Sequence, residues 1–267
     1  MLGAIAGDII GAPYEYINDR RYDFELLTEG SFFTDDTVMT LAIAQWLMRS
    51  DSLSSDDLIK CMTELGQKYP DVGYGPGFKS WIWSDIHKPY NSYGNGSAMR
   101  VSPVALYAHN LNDALELAYI TAAVSHNHPE GIKGAQATAA AIYMAKNGYT
   151  KSQIRELISV MFGYNLYRTI DEIRPTYEWN DICQQSVPES IIAFLDGKDF
   201  EDVVRLAVSL GGDADTLGAI AGSIAACIYP IPEHTIVECE KRLTPDLLKI
   251  MREFERYIIQ RNSITLN

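Results

Sequence analysis

The chain has 267 residues, of which 47% are hydrophobic, and it carries a formal charge of −13 at neutral pH. This length allows a substantial hydrophobic core, and the composition is typical of a globular protein. The acidic excess argues against a nucleic-acid partner, because little positive charge is available to replace the counterions of the phosphate backbone. We expect a single domain over residues 1–267.

The cysteines and the N-terminus bear on the compartment. Cys61, Cys183, Cys227 and Cys239 lie far apart and form no CxxC pair, which predicts reduced thiols and no zinc site. The first ten residues are apolar but lack a basic region, and Asp8 interrupts them, so they do not read as a signal peptide. No other run approaches the roughly 18 apolar residues of a membrane span. We expect a cytoplasmic protein with no membrane partner.

Along the chain, apolar residues recur at the spacing of an α-helix, first within 38–47 and then within 111–118. Sustained strand-like alternation is hard to find. The pattern predicts an all-α domain with about a dozen helices. The later predicted helices cover residues 130–147, 151–162, 188–195, 199–210, 215–229 and 244–260.

Two short segments, residues 3–7 and 218–222, share the sequence Gly-Ala-Ile-Ala-Gly. A glycine inside a helix costs about 1 kcal/mol relative to alanine, and close approach of two helix backbones would offset that cost. We therefore predict that these helices pack together and bring Asp8 and Glu15 near residues 213–216. The alternative is that the two segments are unrelated Ala/Gly helices.

Residues 66–97 and 163–187 are the least regular parts of the chain and are rich in glycine, proline and aromatic residues. Aromatic loops on a helical scaffold are plausible walls of a ligand cleft. The alternative is that these rings pack the loops onto the core. The aromatic residues concerned are Tyr74, Trp81, Trp83, Tyr90, Tyr93, Tyr164, Tyr167, Tyr177 and Trp179.

Two acidic clusters precede apolar helices and contain matching residue types. The first is Thr34-Asp35-Asp36, and the second is Asp213-Ala214-Asp215-Thr216, which follows two glycines. All-oxygen ligands suit Mg²⁺, Mn²⁺ or Ca²⁺ and disfavour zinc. Because the four carboxylates carry four negative charges, two Mg²⁺ or Mn²⁺ ions would neutralise them, and we predict that the clusters close on each other around two such ions. Helix capping is the alternative explanation for each cluster alone.

A glycine-rich segment runs from residue 92 to residue 100 into a helix, and backbone N–H groups there can cradle a phosphate. An ordinary turn is the alternative interpretation. His126 also precedes a helix, where it can donate a hydrogen bond to a phosphate or a ribose or serve only the loop. The predicted binding residues of the segment are Ser92, Tyr93, Gly94, Asn95, Gly96 and Ser97.

Taken together, these motifs resemble the ADP-ribosylglycohydrolases, the group that contains dinitrogenase reductase-activating glycohydrolase and the eukaryotic ADP-ribosyl-acceptor hydrolases. They occur in the family's order and span most of the chain. Ala214 departs from the pattern, since many members have a hydroxyl residue there, but that side chain is not expected to bind metal. The matching segments are residues 7–15, 33–37, 93–100, 125–126 and 211–216.

The resemblance implies an all-α fold with a binuclear Mg²⁺ or Mn²⁺ centre, which releases ADP-ribose from an acceptor. In this reading Asp36, or else Glu15, takes a proton from the attacking water. Residues 92–97 and His126 hold the ADP-ribose, whose diphosphate the glycine-rich loop cradles. The implied metal ligands are Thr34, Asp35, Asp36, Asp213, Asp215 and Thr216.

The expected substrate is an ADP-ribosylated protein, with arginine as the acceptor, and the expected state is a monomer. Serine, nucleobase and small-molecule guanidine linkages stay open. The family resemblance also extends to a lens crystallin, so a non-catalytic relative is the alternative from another class. The complete set of oxygen ligands favours the enzyme.

Overall fold

The computed structural model describes residues 1–50 and 52–265. In these ranges it contains fifteen α-helices, a 3₁₀ turn at Ala12–Tyr14 and one isolated β-bridge, so the all-α prediction is confirmed. Four helices have seven residues or fewer, which is why the number exceeds a dozen. The helices are α1 (Leu2–Gly11), α2 (Asp35–Arg49), α3 (Ser55–Lys68), α4 (Pro76–Ile82), α5 (Gly96–Met99), α6 (Ser102–Tyr107), α7 (Leu111–Ala123), α8 (Pro129–Lys146), α9 (Lys151–Phe162), α10 (Ile170–Ile173), α11 (Cys183–Asp196), α12 (Phe200–Val208), α13 (Ala214–Ala225), α14 (Glu233–Arg242) and α15 (Pro245–Thr265).

Side-chain caps determine where many of these helices begin. Before α9, the Thr150 hydroxyl accepts a hydrogen bond from the Gln153 backbone N–H, and the Gln153 side chain accepts one from the Thr150 backbone N–H. Thr169 and Glu172 form the same reciprocal pair at the start of α10. Because these caps satisfy N–H groups that a first helical turn leaves without partners, the start of each helix is encoded locally.

Helices α1 and α13 pack backbone against backbone, as the repeated glycines predicted. A Cβ atom on Gly7 would lie 2.0 Å from the carbonyl oxygen of Gly218, and one on Gly3 would lie 2.3 Å from that of Gly222. Only glycine fits at such separations, so the contact offsets the cost of glycine in a helix. This contact between α1 and α13, called the seam below, brings the end of α1 beside the start of α13.

Two predicted helix boundaries were wrong. Helix α11 begins at Cys183 and not at residue 188, so Pro188 lies inside it. The proline removes one N–H donor, but the helix is otherwise buried on most of its surface, and that packing outweighs the loss of one hydrogen bond. Helix α13 ends at Ala225, because residues 226–228 form turns ahead of Pro230.

One hydrophobic cluster runs through the fold and includes residues from Met1 to Phe254. It holds most of the apolar positions of α2, α8, α11 and α13, the helices that surround the acidic segments. Within residues 1–50 and 52–265, none of the helices is long and apolar enough to cross a membrane.

Candidate metal centre and ligand cleft

Asp8 in α1 fixes the first turn of α2. Its carboxylate accepts hydrogen bonds from the backbone N–H and the hydroxyl of Thr34, at 3.0 and 2.7 Å, and from the same two groups of Thr37. Asp8 is fully buried, so these four donors replace the water that the carboxylate gives up. Asp35 and Asp36 lie between the two threonines and are therefore held in place by α1.

The second acidic segment is shaped by glycine. Gly211 and Gly212 have φ values of 77° and 76°, in the left-handed region that favours glycine, and the chain turns there into α13. Asp213 occupies the position before the helix, so Asp215 and Thr216 lie in its first turn. The turn directs the buried side chains of this segment toward the end of α1.

The two segments meet, although 180 residues separate them along the chain. The Thr216 hydroxyl donates to Oδ2 of Asp36 at 3.1 Å. Carboxylate oxygens of Glu15, Asp213 and Asp215 lie within 4.8 Å of one another. Glu15, the predicted alternative to Asp36 as proton acceptor, is thus grouped with residues implied as metal ligands, near residues 213–216 as the paired glycine segments predicted.

Burial and mutual repulsion shape the charges of this group. Burial raises the pKa of Asp36 and Asp213 well above the usual range, and the charge of Asp215 raises both further. The same two causes raise the pKa of Glu15 to about 7. An Asn95 amide N–H donates to Oδ2 of Asp213 and opposes part of this shift. These carboxyl groups therefore favour protonation when no cation is bound, and a bound cation would allow them all to be ionised together.

These residues fit a divalent cation. Oδ1 of Asp36 is buried and has no hydrogen-bond partner among the described residues, and such an oxygen carries a desolvation cost unless a cation or proton meets it. The available donors are carboxylate and hydroxyl oxygens, which Mg²⁺ and Mn²⁺ prefer. The oxygens of Glu15, Asp213 and Asp215 already converge closely enough to share one ion.

The acidic group lies in a cleft of about 640 Å³. Of the nine aromatic residues predicted as walls, Tyr74, Tyr90 and Trp179 line the cleft. Others serve the core, as the alternative proposed: Tyr164 is buried within it, and Trp81 packs its ring against Phe78. Most of the predicted site residues line the cleft: Glu15, Thr34, Asp35, Asp36, Ser92, Gly94, Asn95, Gly96, His126, Asp213, Asp215 and Thr216.

Two residues predicted to bind the ligand lie elsewhere. The ring of Tyr93 packs beside His128, with centroids 5.2 Å apart, and neither Tyr93 nor Ser97 is part of the cleft lining. The Ser97 hydroxyl is fully buried and donates to the carbonyl of Gly131 at 2.7 Å. Their side chains thus hold the loop against α8.

The glycine-rich loop also uses some of its N–H groups internally. The Asn95 N–H donates to the carbonyl of Asp181 at 2.7 Å, and the Gly94 N–H donates to the Ser92 hydroxyl at 3.1 Å. The helix that follows, α5, has only four residues. The predicted phosphate cradle is therefore a loop pinned in a defined shape, with fewer N–H groups at its disposal than the sequence suggested.

His126 lies behind this loop and is 4% exposed. Burial lowers its pKa well below the usual value, and the charge of Arg100 lowers it further, so the imidazole is neutral at physiological pH. Its Nδ1 lies 2.8 Å from the Ser125 hydroxyl oxygen. The ring faces Gly94 and Gly96 across the edge of the cleft.

Sequence reasoning named Trp179 as a cleft wall but missed Tyr16, with which it forms an aromatic pair at the mouth of the cleft. The rings of Tyr16 and Trp179 stack with centroids 6.4 Å apart and an interplanar angle of 26°. They are 78% and 51% exposed, which is unusual for large rings in contact with each other. Tyr16 follows Glu15 directly in the sequence, and this position next to a predicted site residue could have marked it as part of the site. Asp8 was expected near the acidic residues, but its hydrogen bonds to Thr34 and Thr37 were not predicted.

Comparison with known proteins places this geometry in a family. The profile of the family described as ADP-ribosylglycohydrolase matches residues 1–262. The chain is 27% identical to the ADP-ribosylhydrolase ARH3 of Homo sapiens, and the alignment covers 93% of this chain and 90% of that protein. It is 24% identical to the ADP-ribosylarginine hydrolase Tri1 of Pseudomonas putida, over 86% of this chain and 70% of that one.

A solved structure shows the same fold. It is described as an ADP-ribosylglycohydrolase-related protein complex and is 25% identical to this chain. The two structures superpose with a TM-score of 0.72, and the match covers 96% of this chain and 95% of the other. The similarity therefore extends over the whole helical architecture and not only over the acidic motifs.

Proposed function

Since this chain belongs to the ADP-ribosylglycohydrolase family and is a glycosyl-bond hydrolase of that class, we propose that it removes ADP-ribose from arginine side chains of proteins. The observation that carries the proposal is the meeting of residues 34–36 with residues 213–216 inside one cleft, marked by the hydrogen bond from Thr216 to Asp36. A cytoplasmic location, with its thiols reduced, is part of the same proposal.

In this proposal two Mg²⁺ or Mn²⁺ ions are held by Thr34, Asp35, Asp36, Asp213, Asp215 and Thr216. When bound, they would orient the ribose hydroxyls and lower the pKa of the water used for hydrolysis. The unpaired Oδ1 of Asp36 and the carboxylate oxygens within 4.8 Å of one another support this ligand set.

Side chains of the protein carry out the proton transfer and hold the substrate. Asp36 takes a proton as water attacks the anomeric carbon, with Glu15 as the alternative proton acceptor. The carbon–nitrogen bond to the guanidine breaks, the nitrogen keeps its electron pair, and it receives the proton that was taken from the water. The surrounding carboxylates favour the positive charge that develops on the sugar in such reactions. Within the same cleft, the loop of residues 92–97, through Ser92, Gly94, Asn95 and Gly96, holds the rest of ADP-ribose together with His126.

The mouth of the cleft supports arginine as the acceptor. The Tyr16–Trp179 pair lies next to Glu15, and the Trp179 backbone lies 3.3 Å from where a Gly212 side chain would begin. A departing group would leave between these rings and the acidic residues. A planar guanidinium stacks on aromatic faces and is attracted by carboxylates, whereas a serine hydroxyl gains neither interaction. The name of the Pseudomonas relative, an ADP-ribosylarginine hydrolase, points the same way.

The test measures ADP-ribose release from arginine-ADP-ribosylated protein with Mg²⁺, with Mn²⁺ and with EDTA. We expect release that requires a cation and that is lost in Asp215→Ala. Glu64→Ala is the matched control, because Glu64 is a surface carboxylate of α3 whose side chain is 54% exposed. Asp36→Asn is expected to lose turnover while still binding ADP-ribose.

Release without any cation would overturn the metal part of the proposal. Cation-dependent release from serine-linked or nucleobase-linked ADP-ribose, with none from arginine, would overturn the acceptor. If the protein neither releases ADP-ribose nor binds it, the proposed function as a whole is overturned.

A further inference from the structure

Arg100, Ser125 and His126 form a buried chain of hydrogen bonds behind the cleft. Arg100 is fully buried, and its Nη2 donates to the Ser125 hydroxyl at 2.8 Å and to the carbonyl of Thr121 at 2.8 Å. The Ser125 hydroxyl oxygen lies 2.8 Å from Nδ1 of His126. The Arg100 guanidinium also lies over the ring of Phe78, 5.4 Å from its centroid. The arginine is thus held through Nη2 and its contact with Phe78, while its buried Nε and Nη1 have no hydrogen-bond partner among the described residues.

The chemistry of the three groups determines where the protons lie. Arginine has donors only, so the Ser125 oxygen must accept from Arg100. Ser125 is fully buried, and among the described residues its hydroxyl has no other side-chain partner than Arg100 and His126. Its single proton therefore goes to Nδ1 of His126, since a buried hydroxyl proton without an acceptor would be costly. A neutral imidazole that accepts at Nδ1 carries its own proton on Nε2.

The protonated nitrogen faces the cleft past two glycines. A Cβ atom on Gly96 would lie 3.1 Å from Nε2 of His126, and one on Gly94 would lie 3.7 Å from it. Any side chain at residue 96 would cover this nitrogen. The absence of side chains at both positions leaves the N–H group open toward the ligand.

We propose that Arg100 and Ser125 are positioning residues that hold His126 in its Nε2–H form, so that it presents a fixed neutral donor to an acceptor oxygen of the bound ligand. The identity of that ligand as ADP-ribose rests on the proposed function. The tautomer does not, because the hydrogen bonds that set it lie within the protein.

The tautomer is measured first, on the intact protein without ligand, by two-bond ¹H–¹⁵N NMR correlation of the imidazole rings. His126→Gln assigns the His126 signal among the five histidines of the chain. We expect the proton on Nε2 in the wild type and a shift toward the Nδ1–H form in Ser125→Ala. Ser125→Thr restores the hydroxyl and is expected to restore the Nε2–H form.

The control is Ser209→Ala. Ser209 is also fully buried and accepts a hydrogen bond from an arginine, Nε of Arg174 at 3.1 Å, but neither residue is in the chain that leads to His126. Ser209→Ala removes a buried serine hydroxyl and leaves the hydrogen bonds among Arg100, Ser125 and His126 intact. The His126 tautomer is expected to be unchanged in this variant.

The second measurement is ADP-ribose affinity by calorimetry in the presence of Mg²⁺. We expect Ser125→Ala to weaken binding about tenfold, the effect of one lost hydrogen bond, and Ser125→Thr to recover it. An Nδ1–H tautomer in the wild type, or an unchanged Nε2–H tautomer in Ser125→Ala, would overturn the proposal. If the wild type does not bind ADP-ribose at all, the proposed function fails, and the NMR result still decides the role of Arg100 and Ser125.

Discussion

The seam between α1 and α13 makes a sharp prediction for Gly7→Ala. The added methyl group would lie 2.0 Å from the Gly218 carbonyl oxygen, whereas an ordinary contact begins at 3.4 Å, so the helices must separate by about 1.4 Å. Overpacking of this kind costs about 1–3 kcal/mol, and a rigid backbone obstacle places the cost at the upper end. The gain in helix propensity, about 1 kcal/mol, leaves a net loss of about 2 kcal/mol.

The loss is measurable in two ways. For a protein of this size, about 2 kcal/mol lowers the melting temperature by roughly 4–8 °C in differential scanning calorimetry. Because Asp8 follows Gly7 and holds Thr34 and Thr37, a displaced α1 also disturbs Asp36. We therefore expect weaker Mn²⁺ binding, measured by titration calorimetry.

Gly66→Ala is the matched control for this substitution. Gly66 also lies inside a helix, but its new methyl group would meet the flexible end of the Ile82 side chain, Cδ1, at 2.9 Å. The expected change in stability is within about 1 kcal/mol, since the gain in propensity offsets the small rearrangement. Equal melting temperatures for Gly7→Ala and Gly66→Ala, with equal Mn²⁺ affinity, would refute the assigned role of the seam.

Three further predictions concern the site. Asp8→Asn places an amide N–H against donors of Thr34 or Thr37. We expect the free energy of unfolding to fall by about 1–3 kcal/mol in calorimetry, together with weaker Mn²⁺ binding. Wild-type stability and wild-type Mn²⁺ affinity in this variant would contradict the anchoring role of Asp8. Burial, and then the charge of Asp215, raises the pKa of both Asp8 and Glu15 to about 7, above the values of unfolded chains. Folding therefore favours their protonated forms, and the stabilisation that these forms supply is lost as pH rises through about 7. The melting temperature in EDTA is expected to fall as pH rises from about 5 to about 7.5, between the unfolded and folded pKa values. Mg²⁺ is expected to raise it most at the higher pH, whereas a Mg²⁺ effect independent of pH would exclude this linkage. Trp179→Ala is expected to raise the KM for arginine-linked substrate roughly 3- to 10-fold with little change in kcat. Trp83→Ala, which removes a ring outside the cleft that is 44% exposed against 51% for Trp179, is expected to change neither. Equal effects of the two substitutions would argue against stacking of the acceptor.

Much of the fold could be predicted because its signals are local. Apolar spacing marked the long helices, and caps such as Thr150 with Gln153 fix their starts through contacts three residues apart. The shared segments 3–7 and 218–222 even predicted one long-range contact, since glycine inside a helix needs a close neighbour to offset its cost. The start of α11 was mispredicted for the same reason: local rules favour proline in the first turn of a helix, whereas buried packing extends α11 back to Cys183.

The residue types of the candidate site also came from the sequence, as two acidic segments of matching composition. Their arrangement was decided by the tertiary structure. The grouping of Glu15 with Asp213 and Asp215, and the hydrogen bond from Thr216 to Asp36, join segments about 180 to 200 residues apart and depend on the angle at which α1, α2 and α13 pack.

The same holds for the parts of the site that sequence reasoning did not find. The aspartate at position 8 needs hydrogen-bond donors once it is buried, but the sequence does not say which residues provide them. In the fold the donors are Thr34 and Thr37. Likewise, only the packing of the end of α5 against the end of α7 places Arg100 within reach of Ser125 and so determines which nitrogen of His126 carries the proton. Sequence thus determined which groups are present and which helices they begin, because those depend on near neighbours. The tertiary structure decided their distances, desolvation and pKa values, because those depend on every group that packs around them.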